Sequence, residues 1–263
     1  PELSKKIRGS MLLAGPLLAR CGAASIAKPG GDAIGRRRVD THLLALEALG
    51  AQIEVSASEY RMSARALIGK SMFLDEASVT ATENAVMAAV LAQGTTGMYN
   101  AAAEPHVQDL CRFLNLLGGR IEGIGTNSLT IHGVESLKGG DFYIPSDHIE
   151  VGSYIGLAAV TRSELVIEDA VPHHMHAVRL MLNKLGVDVL VEGNNIRVPR
   201  DQEMKVRYDI GAAVPKIDDG PWPLFPADLL SIMIIIATQS EGTVMIFEKM
   251  FESRLFFTDK LIG

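Results

Sequence analysis

Cysteine is nearly absent from the 263-residue chain, with Cys21 and Cys111 the only two. Two thiols cannot build a disulfide framework, and no CxxC or Cys/His spacing of a structural zinc site occurs. A reducing, cytoplasmic compartment is predicted. Long apolar runs are missing too. The longest, over 229–237, is broken by Ser231 and falls far short of the roughly 20 residues that span a bilayer, although mean hydropathy is positive at +0.19. A soluble protein with no membrane association is expected. No secretory signal opens the sequence: Pro1 comes first, and the early apolar run over 11–19 contains Gly15 and Pro16 with no cleavage pattern after it. Excess positive charge is also lacking, because 25 Lys and Arg stand against 31 Asp and Glu for a net charge of −6. That argues against nucleic acid as a partner.

What the chain has is apolar mass and an internal repeat. Hydrophobic residues make up 48% and charged residues 21%, the composition of a folded chain with a large core. Four segments end in an apolar residue followed by glycine: Leu49-Gly50, Leu117-Gly118, Leu185-Gly186 and Ile262-Gly263. The first two intervals are both 68 residues (118 − 50 and 186 − 118), and the last is 77 (263 − 186). Upstream of the first three glycines the apolar residues fall at helical spacing, as in Leu43/Leu46/Leu49, Val107/Leu110/Leu114/Leu117 and Val178/Met181/Leu182/Leu185. Each glycine then reads as a helix stop.

Downstream of these three lie alternating hairpins, predicted over 51–55 with 60–63, 120–123 with 128–132, and 187–191 with 195–198. Before each amphipathic helix comes a nearly all-apolar helix (11–19, 84–93, 152–160, 229–239) and a strand (24–27, 95–99, 164–168, 243–247). A further strand is expected over 67–73. Helices apolar on most faces should be buried on most faces, so the expected architecture is α/β (α+β), with apolar helices inside and sheets and amphipathic helices around them. The first unit lacks an opening strand and the last a closing hairpin. Gly139-Gly140, Pro145 and Ser146 interrupt the pattern, which places two domains at 1–145 and 146–263. The proline-rich stretch 215–226 lies inside a repeat and lengthens the fourth interval, as a functional loop does.

The stretch Lys28-Pro29-Gly30-Gly31-Asp32-Ala33-Ile34-Gly35-Arg36-Arg37-Arg38-Val39-Asp40 joins a strand to an amphipathic helix. Backbone N–H groups at a helix start favour an anion, and arginines fork onto phosphate or carboxylate oxygens. A solvated basic turn is the alternative. The Gly30 to Gly35 spacing lacks the Lys-Ser/Thr of a P-loop. Asp32 can serve as acid or base on a ligand or as a turn residue. Asp228 precedes the helix from 229 and reads most simply as an N-cap, and the acidic residues of Asp147-His148-Ile149-Glu150 open the helix from 152. His173, His174 and His176 have no carboxylate or cysteine close in sequence, and no metal site is expected.

At Pro29 to His42 the chain resembles the UDP-N-acetylglucosamine enolpyruvyl transferases. The likeness continues through Ile7-Arg8-Gly9-Ser10, Gly15-Pro16-Leu17-Leu18-Ala19-Arg20, Pro145-Ser146-Asp147-His148-Ile149-Glu150-Val151-Gly152, Phe225-Pro226-Ala227-Asp228 and Phe251-Glu252-Ser253-Arg254. It implies an inverted α/β barrel of six repeats in two domains. The activity implied is transfer of the enolpyruvyl group of phosphoenolpyruvate to the 3-hydroxyl of UDP-N-acetylglucosamine, with release of phosphate and no metal or organic cofactor. Carried over residue by residue, the resemblance assigns Arg8 and Arg37 to the anionic substrates, Asp32 to the proton-donor loop and Asp228 to the base on the sugar hydroxyl. Val39, Asp40, Thr41, His42, Ser78, Val79, Met250 and Phe251 would line the nucleotide-sugar site.

The chain departs from the family pattern at several places. Asp32 stands where most members carry the cysteine that fosfomycin alkylates, Arg38 where proline is usual, Thr80 where glycine is frequent, and His148 where arginine is usual. His148 is expected to leave a pH-dependent charge near the domain junction. The family's amino-terminal lysine and asparagine and its last-repeat arginine have no counterpart, so these 263 residues read as about four of six repeats, inactive alone. The shikimate-pathway enolpyruvyl transferases share the fold and the phosphoenolpyruvate chemistry, but have no match for the Pro-Gly-Gly-Asp loop. A non-catalytic nucleotide-sugar sensor is the rival of a different class, disfavoured by retention of both Asp32 and Asp228.

Overall fold

The computed structural model describes residues 4–31 and 38–261, which divide into two compact units at Tyr143/Ile144. In the first, a 3-10 turn Arg8–Leu13 runs into helix α1 (Ala14–Cys21), which carries Pro16 in its first turn where a missing N–H costs little. Strand β1 (Ala23–Ala27), helix α2 (Asp40–Ala48) and the hairpin β2 (Gln52–Val55) and β3 (Glu59–Ser63) follow. The next repeat is complete: β4 (Ser71–Phe73), α3 (Val79–Ala89), β5 (Thr95–Tyr99), α4 (Pro105–Leu116), β6 (Arg120–Glu122) and β7 (Ser128–His132).

The second unit holds α5 (His148–Val160), β8 (Leu165–Ile167), α6 (His176–Lys184), β9 (Leu190–Glu192) and β10 (Asn195–Val198). After them come β11 (Lys216–Asp218), a 3-10 turn Ala227–Leu229, α7 (Leu230–Thr238) and β12 (Met245–Phe247).

The sheets carry the repeat. Strand orders β1-β3-β2, β5-β7-β6 and β8-β10-β9 are the same antiparallel arrangement three times. An opening strand adds in parallel twice, β4 on β5 and β11 on β12. Residues 141–145, where the third repeat calls for one, form no strand. The strand expected over 67–73 is shorter than predicted: Ile68 makes only an isolated bridge to Gln93, and the ladder begins at Ser71. Gly69 lies against the neighbouring chain there, where a Cβ would be 2.6 Å from the Thr95 backbone.

Gly50, Gly118 and Gly186 have φ of 100°, 102° and 74°. These left-handed values are cheap only for glycine, and they turn the chain out of α2, α4 and α6 into their hairpins. Among the apolar helices α3 is buried most completely, with Ala81, Ala85, Val86, Ala88 and Ala89 at 0% exposure, packed against α1, α2 and α4. Helix α5 lies against α7 through Gly152 and Gly156, whose missing side chains are replaced by Leu229 and Ile232.

Helix α7 departs from expectation. Leu230, Met233 and Ile236 are buried, at about 2 kcal/mol each for side chains of this kind, whereas Ile235 is 37% exposed. Its contacts among the described residues come mainly from α5 and the preceding 3-10 turn, so only one face is covered.

Candidate functional site

In the first unit the helix starts converge. Helix α2 begins at Asp40, and α3 is capped by Ser78, whose hydroxyl accepts from Ala81 N at 3.4 Å and whose side chain therefore serves the helix. Val79 is the first residue of α3, and Val39 is buried at the N-cap of α2. Asp40 lies in the first turn of α2, where the helix dipole favours an anion, and pairs with Arg38. Thr41 Oγ1 donates to Asp75 Oδ1 at 2.7 Å, tying the start of α2 to the loop before α3.

His42 is 1% exposed and both ring nitrogens are engaged inside the unit: Nε2 with Thr80 Oγ1 at 3.1 Å and Nδ1 with Asn84 Nδ2 at 3.1 Å. Burial, aided by the positive charge of Arg8, holds its pKa down at about 4. Thr41 and His42, expected to line a ligand site, make these internal bonds, which hold the start of α2.

Both flanks of the arginine-bearing loop are tied to the amino-terminal segment. Gly30 N donates to Lys5 O at 2.7 Å, and a Cβ at Gly30 would lie 2.5 Å from that oxygen. On the other side the Arg8 guanidinium donates to the Arg38 carbonyl. Asp32, Arg36 and Arg37 lie outside the described residues.

In the second unit Asp228 sits in the 3-10 turn ahead of α7, but it does not cap that helix: the N-cap is Leu229 and no side chain bonds there. Its carboxylate is 63% exposed and takes Arg254 Nη2 at 2.6 Å. The reason is geometric: Asp228 lies within the 3-10 turn, one residue ahead of the cap position at Leu229. Arg254 also stacks over Phe251, 5.2 Å from the ring centre. The backbone before it is gripped by two acids. Asp219 accepts from Lys249 N at 2.7 Å and Met250 N at 3.3 Å, and Glu248 Oε1 accepts from Met250 N at 3.2 Å and Phe251 N at 2.9 Å.

Asp147 caps α5, its Oδ1 accepting from Ile149 N at 2.8 Å. His148, expected to leave a pH-dependent charge near the domain junction, is buried with its ring edge-on to Trp222 at 5.9 Å. His174 meets the same indole at 6.1 Å, and His173 lies 4.2 Å from His174. Among the described residues no group of three or more His, Cys, Asp or Glu is placed to hold a metal, and no helix is long and apolar enough to cross a membrane.

Sequence reading missed Asn84, Asp75, Asp219, Glu248 and the pairing of Arg254. The polar Asn84 inside an otherwise apolar helix was the one available signal.

Comparison with known proteins follows this geometry. A family model described as EPSP synthase (3-phosphoshikimate 1-carboxyvinyltransferase) matches residues 1–262. The UDP-N-acetylglucosamine 1-carboxyvinyltransferase of Treponema denticola is 58% identical over 262 residues, covering 100% of this chain and 61% of that protein. The protein of the same name from Bradyrhizobium diazoefficiens is 57% identical over 263 residues, with the same coverage. The chain therefore spans about three-fifths of the length of the curated relatives it matches.

Among solved structures, the enolpyruvyl transferase NikO from Streptomyces tendae superposes with a TM-score of 0.83 at 23% identity, covering 99% of this chain and 61% of that one. An EPSP synthase from Acinetobacter baumannii gives 0.66 at 19%, covering 97% and 59%. These two establish a shared fold. Helices, parallel opening strands and antiparallel hairpins are arranged as in enolpyruvyl transferases, and the match runs the length of the chain: it belongs to the EPSP synthase (3-phosphoshikimate 1-carboxyvinyltransferase) family.

Proposed function

We propose that the full-length protein transfers the enolpyruvyl group of phosphoenolpyruvate to the 3-hydroxyl of UDP-N-acetylglucosamine. The observation that carries this reading is 58% identity along the whole chain to a relative named for that activity. The sugar oxygen attacks C2 of phosphoenolpyruvate while C3 receives a proton, giving a tetrahedral ketal. Loss of that carbon's bond to the phosphate oxygen, with return of a proton from the methyl group, restores the double bond and frees phosphate. Such a sequence needs an acid, a base and cations for the anionic groups.

Asp32 supplies the acid and Asp228 the base, with Arg8 and Arg37 on phosphate and carboxylate. The 2.6 Å contact from Arg254 Nη2 supports Asp228 in that role by holding its carboxyl group in one orientation. In the first unit Val39, Asp40, Thr41, His42, Ser78 and Val79, and in the second Met250 and Phe251, are the residues assigned to the nucleotide sugar. Residues 1–145 carry the loop with Asp32, and 146–263 the base. The reaction places the protein in the cytoplasm at the entry to peptidoglycan synthesis and needs no metal or organic cofactor.

Asp32 has a further consequence. A carboxylate is a much weaker nucleophile than a thiolate toward an epoxide, so the full-length protein is expected to resist fosfomycin; time-dependent inactivation with an adduct on Asp32 would overturn this. The function itself is tested by mass spectrometry of UDP-N-acetylglucosamine after incubation with the protein and phosphoenolpyruvate. An enolpyruvyl ether of the nucleotide sugar supports the reading, and unmodified nucleotide sugar contradicts it.

A further inference from the structure

The acids behind Met250 and Phe251 do more than accept backbone hydrogen bonds. Asp219 is 1% exposed and the Glu248 side chain 4% exposed. Their carboxyls face each other within hydrogen-bond range, and the Met250 N–H points between them, 3.3 Å from Asp219 Oδ2 and 3.2 Å from Glu248 Oε1. Two carboxylates cannot share that position without a proton, since neither has water to screen it.

The geometry says which acid holds the proton. Glu248 Oε1 already accepts two N–H bonds, whereas Oε2 is buried with no donor reaching it. An oxygen that lacks a donor beside another carboxyl is itself the donor. Asp219 then accepts from Lys249 N, Met250 N and the Glu248 hydroxyl. Arg254 fits the same assignment. Its Nε is buried without a hydrogen-bond partner and stands 3.9 Å from Glu248 Oε2, about 1 Å too far to bond. An ionised Glu248 would draw it in.

The other charges nearby are already used. Lys216 and Lys249 both engage Asp218, and Asp228 takes the remaining arm of Arg254. Glu252 follows Phe251 on the same loop.

We propose that Asp219 and Glu248 are positioning residues: as two carboxyl groups sharing one proton, they hold the 249–251 backbone in place and leave the hydrogen bond of Arg254 to Asp228. The role in turnover rests on the function proposed above. Burial, together with the hydrogen bond and negative charge of Asp219, pushes Glu248 up to about 7. When it ionises, Asp219 repels it, the grip on Met250 and Phe251 loosens, and Arg254 gains a second anion.

Two readouts test this. Carboxyl 13C NMR of glutamate-labelled protein is expected to show two signals titrating near 7, one from Glu83 and one that disappears in E248Q. In D219N, which removes the neighbouring charge, that signal moves down toward the ordinary value of 4.5. In the full-length enzyme, KM for the nucleotide sugar is expected to rise as pH passes about 7 in the parent and to stay level there in E248Q. The proposal is overturned if E248Q removes no high-titrating signal, if D219N leaves the signal in place, or if E248Q shows the same rise in KM. The NMR arm needs no turnover, so failure of the pair and failure of the assigned reaction are told apart. D219N keeps it decidable should E248Q not fold.

Discussion

Asn84 Nδ2 donates to His42 Nδ1 across 3.1 Å, and this contact fixes which imidazole nitrogen carries the proton. Gly15 N–H, 2.6 Å away, can only donate, so the atom facing it is Oδ1. The amide nitrogen must then serve Met11 O at 3.0 Å and His42 together. His42 Nδ1 is therefore the acceptor, and Nε2–H donates to Thr80 Oγ1. One buried side chain joins the 3-10 turn, α1, α2 and α3.

Asn84→Asp tests that network. The variant places an acceptor where two donors are needed, opposite Met11 O. It is expected to lower stability by about 1–3 kcal/mol and to raise the His42 pKa from about 4. Chemical denaturation and 15N histidine titration check both. An unchanged His42 titration would mean that Asn84 does not control the ring.

Glu83 predicts a second pH dependence. Burial, and then the negative charge of Glu104, raise it from 4.5 to about 7. Between those values the folded state binds more protons than the unfolded one, so stability falls as pH rises, by about 3 kcal/mol in total. His42 works the other way: lowered from 6.5 to about 4, it adds stability as pH rises through that window, again by about 3 kcal/mol. The two nearly cancel where they overlap. Glu83→Gln removes the opposing contribution, so the stability of the variant relative to the parent should rise with pH between 4.5 and about 7. Parallel stability curves for variant and parent would contradict this.

Close packing at Gly15 gives a steric prediction. A Cβ there would lie 2.2 Å from the Asn84 carbonyl oxygen, which is helix backbone and cannot swing away. Gly15→Ala is expected to cost about 1–3 kcal/mol. Gly139→Ala, with nothing within 4 Å of the added atom, should be nearly neutral. Equal melting temperatures for the two variants would remove the packing argument.

Asp228→Asn in the full-length protein should abolish turnover while nucleotide-sugar binding, read by calorimetry, changes far less. The amide keeps a contact with Arg254 but accepts no proton. Retained turnover would remove the base role.

The strands were legible because alternation and turn residues are local. The bounds expected for β5, β7 and β10 coincide with those found. The repeat was legible because Gly50, Gly118 and Gly186 each meet a backbone requirement that few other residues satisfy. The close approach at Gly69 was not, since its neighbour, the Thr95 backbone, lies 26 residues away. The polar devices were hidden for the same reason. Asn84 finds its partners at separations of 69, 73 and 42 residues, and Asp219 meets Lys249 across 30. Asp228 shows the limit of local reasoning: an aspartate before a helix reads as a cap, and only the fold brings Arg254 to it from 26 residues downstream.

The central claim is the identity of the acceptor. Phosphate release by the full-length protein with phosphoenolpyruvate is to be followed with UDP-N-acetylglucosamine and, in parallel, with shikimate 3-phosphate. Release with the nucleotide sugar alone is the predicted result; release with shikimate 3-phosphate alone would contradict the account.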